Sequence, residues 1–161
     1  MSIDIYIQAV HEKAPGYFPL SVVDLVFAKA MTYRELSRNE CSIVIEYPRK
    51  DAGEVIEYHG KRYVMPDTSS AELTIEITSV NNVAMVSGLS INRPPAQDDF
   101  WESIFTLLTM THSVLFTCGY SLIVGQAETI PHIIPDMMEA LSAPCLVSDY
   151  HEMTSKLFES T

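Results

Sequence analysis

Asp98 and Asp99 stand side by side in this 161-residue chain, and paired carboxylates are the groups that general acid–base chemistry or a bound cation requires. Histidines at 11, 59, 112, 132 and 151 and cysteines at 41, 118 and 145 complete the list of candidate ligands and nucleophiles. Their spacing carries no motif. The histidines are scattered, with no HxH or HxxxH pair, and no two cysteines form CxxC. His112 and Cys118 are six apart, on an expected turn and strand end. The plainer account is a histidine near the negative end of a helix dipole and a buried thiol. Cys118 would need a histidine folded beside it to act as a nucleophile. GxxxxGK[ST] and GxGxxG are absent, and Ser87-Gly88-Leu89-Ser90 lacks the GxSxG pattern. No metal, cofactor or catalytic residue is therefore expected. The plainer account of Asp98 and Asp99 is service at a helix N-terminus, worth about 0.3–1 kcal/mol.

The elements that position these residues follow from pattern. The stretch 83–111 is the firmest unit. An apolar run ends at Asn92-Arg93, and Pro94 and Pro95, which lack an N–H, end sheet pairing. Asp99 is expected to cap the next helix with Glu102 three residues on, and Phe100, Trp101, Ile104, Phe105, Leu107 and Leu108 form its buried stripe. Upstream, residues 3–10 alternate as a strand. Ser21, with Asp24 three residues later, is expected to cap a helix running to about Tyr33. Strands are expected over 41–47, 54–58, 62–65 and 72–78, with turns at His59-Gly60 and Val80-Asn81-Asn82. Downstream, 113–118 and 121–125 flank Gly119-Tyr120 as a hairpin. A short helix begins at Pro135, its Met137-Met138 filling the core. A strand covers 144–148, and Asp149 with Glu152 caps a last helix. The expectation is a single α+β domain over residues 1–161, a central antiparallel meander with about four helices packed on it.

Composition narrows the class. Hydrophobic content of 47% with 19% charged residues marks a globular chain, and no apolar run reaches the ~20 residues that span a bilayer. The first residues lack a basic region and alternate as a strand, so no secretory signal is read there. Three widely spaced cysteines suit reduced thiols in a cytoplasmic protein. Net charge is −11, and its distribution matters more than its total. Residues 1–62 balance to −1, with 8 Lys/Arg against 9 Asp/Glu. Residues 63–161 balance to −10, with only Arg93 and Lys156 against 12 acids. Such a field repels nucleic acid and anionic membranes, and speeds encounter with a basic protein. The plainer account is solubility. Tyr17, Phe18 and Tyr120 fall in expected loops, where aromatic residues either anchor interfaces or pack the loop itself.

Ser90-Ile91-Asn92-Arg93-Pro94 leads into a helix opening with the aromatic pair Phe100-Trp101, then a hairpin of the Val114 to Val124 kind. Ile134-Pro135-Asp136-Met137-Met138 and the strand Pro144-Cys145-Leu146-Val147 follow. This order resembles that of small bacterial immunity proteins, the antidotes made beside secreted or contact-delivered antibacterial toxins. The match covers roughly residues 83–158, and the N-terminal third adds a compatible strand–helix–strand order. The resemblance implies stoichiometric binding of a toxin, with no shared catalytic residues to carry over.

The expected function is therefore neutralisation of a cognate basic toxin by a monomer or homodimer that acts without nucleic acid or membrane. The expected contact residues are Arg93, Asp98, Asp99, Glu102, Asp136, Glu139, Asp149 and Glu152. Two other classes stay open. An acidic secretion chaperone would bind an unfolded effector segment. A small enzyme would gather Asp98, Asp99 or a histidine with Cys118 in one pocket.

Overall fold

A computed structural model of the chain describes residues 3–118 and 121–159. The Gly119-Tyr120 turn, with Tyr120 itself, lies outside the described residues. Strands run at Asp4–His11 (β1), Ala14–Pro15 (β2), Phe18–Pro19 (β3), Met31–Leu36 (β4), Glu40–Pro48 (β5), Val55–Tyr58 (β6) and Lys61–Val64 (β7). They continue at Thr68–Val80 (β8), Val83–Asn92 (β9), Ser113–Phe116 (β10), Leu122–Val124 (β11) and Pro144–Leu146 (β12). Helices are Leu20–Val26 (α1), Asp98–Met110 (α2), Pro135–Ala140 (α3) and Tyr150–Phe158 (α4), with a 3₁₀ turn over Ala127–His132.

The main sheet orders its long path β12-β11-β10-β1-β9-β8-β5-β4, and β2 and β3 pair at its margin. It is larger than the expected meander, and it is mixed. β12 joins β11 in parallel, because the intervening 3₁₀ turn and α3 carry the chain back before it pairs. β5, β8 and β9 do form consecutive antiparallel neighbours. β6 and β7 pair only with each other, as a separate ribbon.

Alternation along the strands assigns the two faces. Ile5, Ile7, Ile43, Ile45, Leu73, Ile75, Ile91, Leu115 and Ile123 join one buried cluster with α1, α2 and α4, which supply Val23, Phe100, Ile104, Leu107, Met153 and Leu157. The opposite residues of β1, β10 and β11 (Val10, Val114, Leu122 and Val124) meet Ile133, Met137 and Leu141 beneath the 3₁₀ turn and α3. Over β5, β8 and β9 the second face carries Ser42, Glu46, Glu72, Thr74 and Glu76, and among the described residues no helix packs on it. Two-residue turns with positive φ close three hairpins, at Glu12-Lys13, His59-Gly60 and Asn81-Asn82.

Several expectations are corrected. α1 stops at Val26, and residues 31–36 are an edge strand against β5 instead of the end of that helix. Ser21 caps nothing: α1 starts at Leu20 after Pro19, without a side-chain cap. Asp99 is likewise inside α2 and not its cap, which is Gln97 with no capping side-chain bond. Phe18 is buried, paired through β3 with β9. Cys118 is exposed, and Met138 is exposed on a helix with no buried residue.

Candidate functional site

Three of the expected contact residues lie on the first two turns of α2. Asp98 and Asp99 fall in the first turn and Glu102 in the second, all exposed, where the dipole favours negative charge. Phe100, Trp101, Ile104, Leu107 and Leu108 hold the other side of α2 in the core. The carboxylates are therefore aimed outward by burial of the apolar stripe between them. Trp101 is flanked by Phe100 at 4.9 Å and Phe158 at 5.6 Å, both edge-to-face, which ties the start of α2 to α4.

Phe158 ends α4, and the start of that helix lies along one cleft, where Tyr150 and His151 line it with Asp98 and Trp101. Asp149 caps α4, its Oδ1 accepting the Glu152 N–H at 2.8 Å. Glu152 Oε2 accepts from the Ser148 N–H at 3.1 Å and the Ser148 hydroxyl at 2.8 Å. Both acids thus hold the entry to α4. Tyr150 reports the combined field. Its phenol is pushed above the ordinary range by desolvation, then by Asp98, Glu102, Asp99 and Asp149. Asp136 and Glu139 do not join this group. They lie exposed on α3, which packs against the other face of the sheet.

The row Asp98, Asp99 and Glu102 forms a ridge between three clefts. A cleft of about 440 Å³ on one side is lined by Arg93, Pro94, Asp98, Trp101, Tyr150 and His151 among others. A second, of about 590 Å³, has Tyr47, Arg49, Lys50, Gln97, Asp98 and Asp99 in its walls. The third, of about 680 Å³, is bordered by Lys29, Tyr47, Asp99, Glu102 and Ser103. Each therefore pairs α2 carboxylates with one or two cations from another element. Arg93, Lys29 and Lys50 have no ion-pair partner among the described residues. Arg93 sits at φ 50°, in the left-handed region, immediately before Pro94. A non-glycine residue there is strained, and more so ahead of a proline.

The second cleft contains a network that sequence reasoning did not find. The Arg49 guanidinium grips Asp51 through two bonds of 2.7 Å and donates to Ser69 Oγ at 3.1 Å. Gln97 Nε2 donates to the same Ser69 oxygen at 3.1 Å. This ties the end of β5 and the start of β8 to the residue preceding α2. Arg49 holds the Asp51 carboxyl below its usual range. Among the described residues, Gln97 Oε1 and the Tyr47 hydroxyl are buried with no partner at hydrogen-bonding distance and angle. Burial pushes the Tyr47 phenol up to about 12; the Ser103 hydroxyl, near it but outside hydrogen-bonding geometry, opposes the rise, and Asp99 adds to it. Nothing local in the sequence marks Ser69 or Gln97 as partners of Arg49, since the three lie on separate segments of the chain.

The histidines, scattered in sequence, are partly gathered in space. His132 stacks on His112 at 4.7 Å and on His11 at 5.4 Å, with rings within 22° and 10° of parallel. His132 Nδ1 accepts the Glu12 N–H at 2.9 Å, so the stack clasps the Glu12-Lys13 turn. Among the described residues no group of three His, Cys, Asp or Glu is placed to hold a metal ion. Cys118 lines none of the three clefts, and the first cleft brings only His151 to Asp98. Among the described residues no helix is long and apolar enough to cross a membrane. Comparison with protein-family models, curated proteins and solved structures yields no match.

Proposed function

We propose that this protein is a cytoplasmic, non-catalytic immunity protein that binds and neutralises a basic antibacterial toxin domain. One observation carries the reading: Asp98, Asp99 and Glu102 stand exposed at the start of α2, and Asp98 shares a cleft with Tyr150 and His151 at the start of α4. A ridge of outward carboxylates suits a basic surface laid across its crest, with Lys29, Lys50 and Arg93 in the flanking clefts left to meet acidic groups at that surface's edge. Complementary charge of this kind accelerates association and selects the partner. Arg93 stands at the rim of the first cleft and offers one bidentate donor for an acidic group on the partner. The chain order resembling immunity proteins over residues 83–158 supports the same reading.

Growth provides the test. The protein encoded beside this one should kill a bacterial host when expressed alone, and co-expression of this chain should restore growth. A neighbour that is harmless alone rejects the antidote reading.

A secretion chaperone is the second reading, favoured by the exposed apolar residues of β6 and β7. A short disordered effector segment would then suffice for binding, whereas an antidote requires the folded toxin domain.

A further inference from the structure

His11, His112 and His132 come from three separate segments: the end of β1, the junction between α2 and β10, and the last residue of the 3₁₀ turn. His132 stacks on both of the others, and one of its nitrogens is committed. A backbone N–H can only donate. The Glu12 N–H at 2.9 Å therefore fixes His132 Nδ1 as an acceptor and its ring as neutral, with the proton on Nε2. A second bond, from the Lys13 N–H to the His132 carbonyl at 3.0 Å, also joins the Glu12-Lys13 turn to the 3₁₀ turn. Glu12 and Lys13 sit in the left-handed region, at φ 49° and 67°, without being glycine. A strained turn is thus held in part by a bond that exists only while an imidazole is uncharged.

The charges around His132 come from every segment packed against it. His11 and His112 each add a positive charge on protonation, with ring centroids 5.4 and 4.7 Å away, and Lys13 of the turn carries another. Among the described residues Glu12 is the one carboxylate within ion-pairing reach of the stack, 3.7 Å from His11 Nε2. Glu128 on the same 3₁₀ turn and Asp136 at the start of α3 pair with none of the three rings. Acidification therefore removes the Glu12 bond and sets like charges face to face in the same step.

We propose that the histidine stack is an acid-sensitive clasp, which holds the Glu12-Lys13 turn on the 3₁₀ turn while His132 is neutral and releases it when His132 is protonated. The sign follows from which form makes the bond. The neutral ring accepts the Glu12 N–H, so the clasp is closed above the histidine range and opens as pH falls through it, between about pH 8 and about pH 5. The hairpin that is released walls a cleft of about 540 Å³, whose lining combines Pro15, Gly16 and Tyr17 with Met85, Met110 and His112. Acid therefore loosens one wall of that cleft and leaves the core in place. The clasp shares no residue with the α2–α4 corner, and the proposal stands independently of the toxin reading.

Amide hydrogen exchange of the full chain, followed by NMR and corrected for the intrinsic pH dependence of exchange, tests it. From about pH 7.5 to about pH 5, protection of the Glu12 and Lys13 amides should fall at least about fivefold. The Val80–Val83 pair, which closes the Asn81-Asn82 hairpin, should keep its protection and so report an intact fold. His132→Asn places a carboxamide oxygen near the position of Nδ1 and does not titrate, so it should stay protected at both pH values. His132→Leu offers no acceptor and should show the low protection already at about pH 7.5. Wild-type protection that acid leaves unchanged overturns the proposal, as does a loss shared equally by Val80 and Val83. So does an acid step of wild-type size in His132→Asn, or full protection in His132→Leu.

Discussion

Two single residues carry costs that the rest of the structure holds in place. The Tyr47 hydroxyl is buried and, among the described residues, has no partner in hydrogen-bonding geometry, with Ser103 only close by. Tyr47→Phe keeps the ring packed edge-on to Phe100 and removes the stranded polar group. It should raise stability by about 1 kcal/mol, read from urea unfolding. The pH dependence has a definite sign. The native phenol titrates at about 12, above its unfolded value of about 10. Between those values the native state holds the extra proton, so stability is intact below pH 10 and falls as pH rises toward 12. Melting temperatures measured across that window should fall less steeply in Tyr47→Phe. Arg93 is the second case. Glycine tolerates its φ of 50° and alanine does not, so Arg93→Gly should be more stable than Arg93→Ala by about 1 kcal/mol. Equal stabilities would mean that the strain lies elsewhere.

At the scale of elements, periodicity and turn chemistry were legible. β5, β9, α2 and the turns at His59-Gly60 and Asn81-Asn82 lie close to where their patterns put them. The misreadings share a cause. β4 forms an edge, so one strand partner and little burial left it no apolar alternation, and its sequence Met-Thr-Tyr-Arg-Glu-Leu reads as easily as a helix end. Its Arg34 is identified only by its partner, the Asp24 carboxylate at 2.8 Å on α1. Capping signals failed at α1 and α2 because Pro19 and Gln97 set the extended entry geometry without a side-chain bond, whereas Asp149 caps α4 as its pattern says. The Arg49–Ser69–Gln97 network and the histidine stack were not legible, since each joins segments far apart in the chain. A packing prediction also belongs here. A methyl group on Gly125 would lie 2.8 Å from Leu108 Cβ and about 3 Å from the α2 backbone. Gly125→Ala should therefore push α2 away from β11 and cost about 1–3 kcal/mol in chemical denaturation. Wild-type stability would show that α2 yields at no cost.

For the whole molecule, the acids of the C-terminal part are spread over both faces of the sheet, and cations of the N-terminal part line the clefts beside α2. Of the eight contact residues read from sequence, Asp98, Asp99, Glu102 and Asp149 converge, and Arg93 stands at the same cleft. Glu152 is bound to Ser148, and Asp136 with Glu139 faces away on α3. The functional reading therefore contracts to one corner, and that corner can be reversed without touching the core. Calorimetric titration of this protein against the product of its neighbouring gene, at low and high salt, tests it directly. Wild type should bind one to one, with affinity falling as salt rises. Asp98→Lys with Asp99→Lys and Glu102→Lys should weaken binding at least about a hundredfold and flatten the salt dependence. Binding by the triple variant at wild-type strength, or wild-type affinity insensitive to salt, would contradict the account.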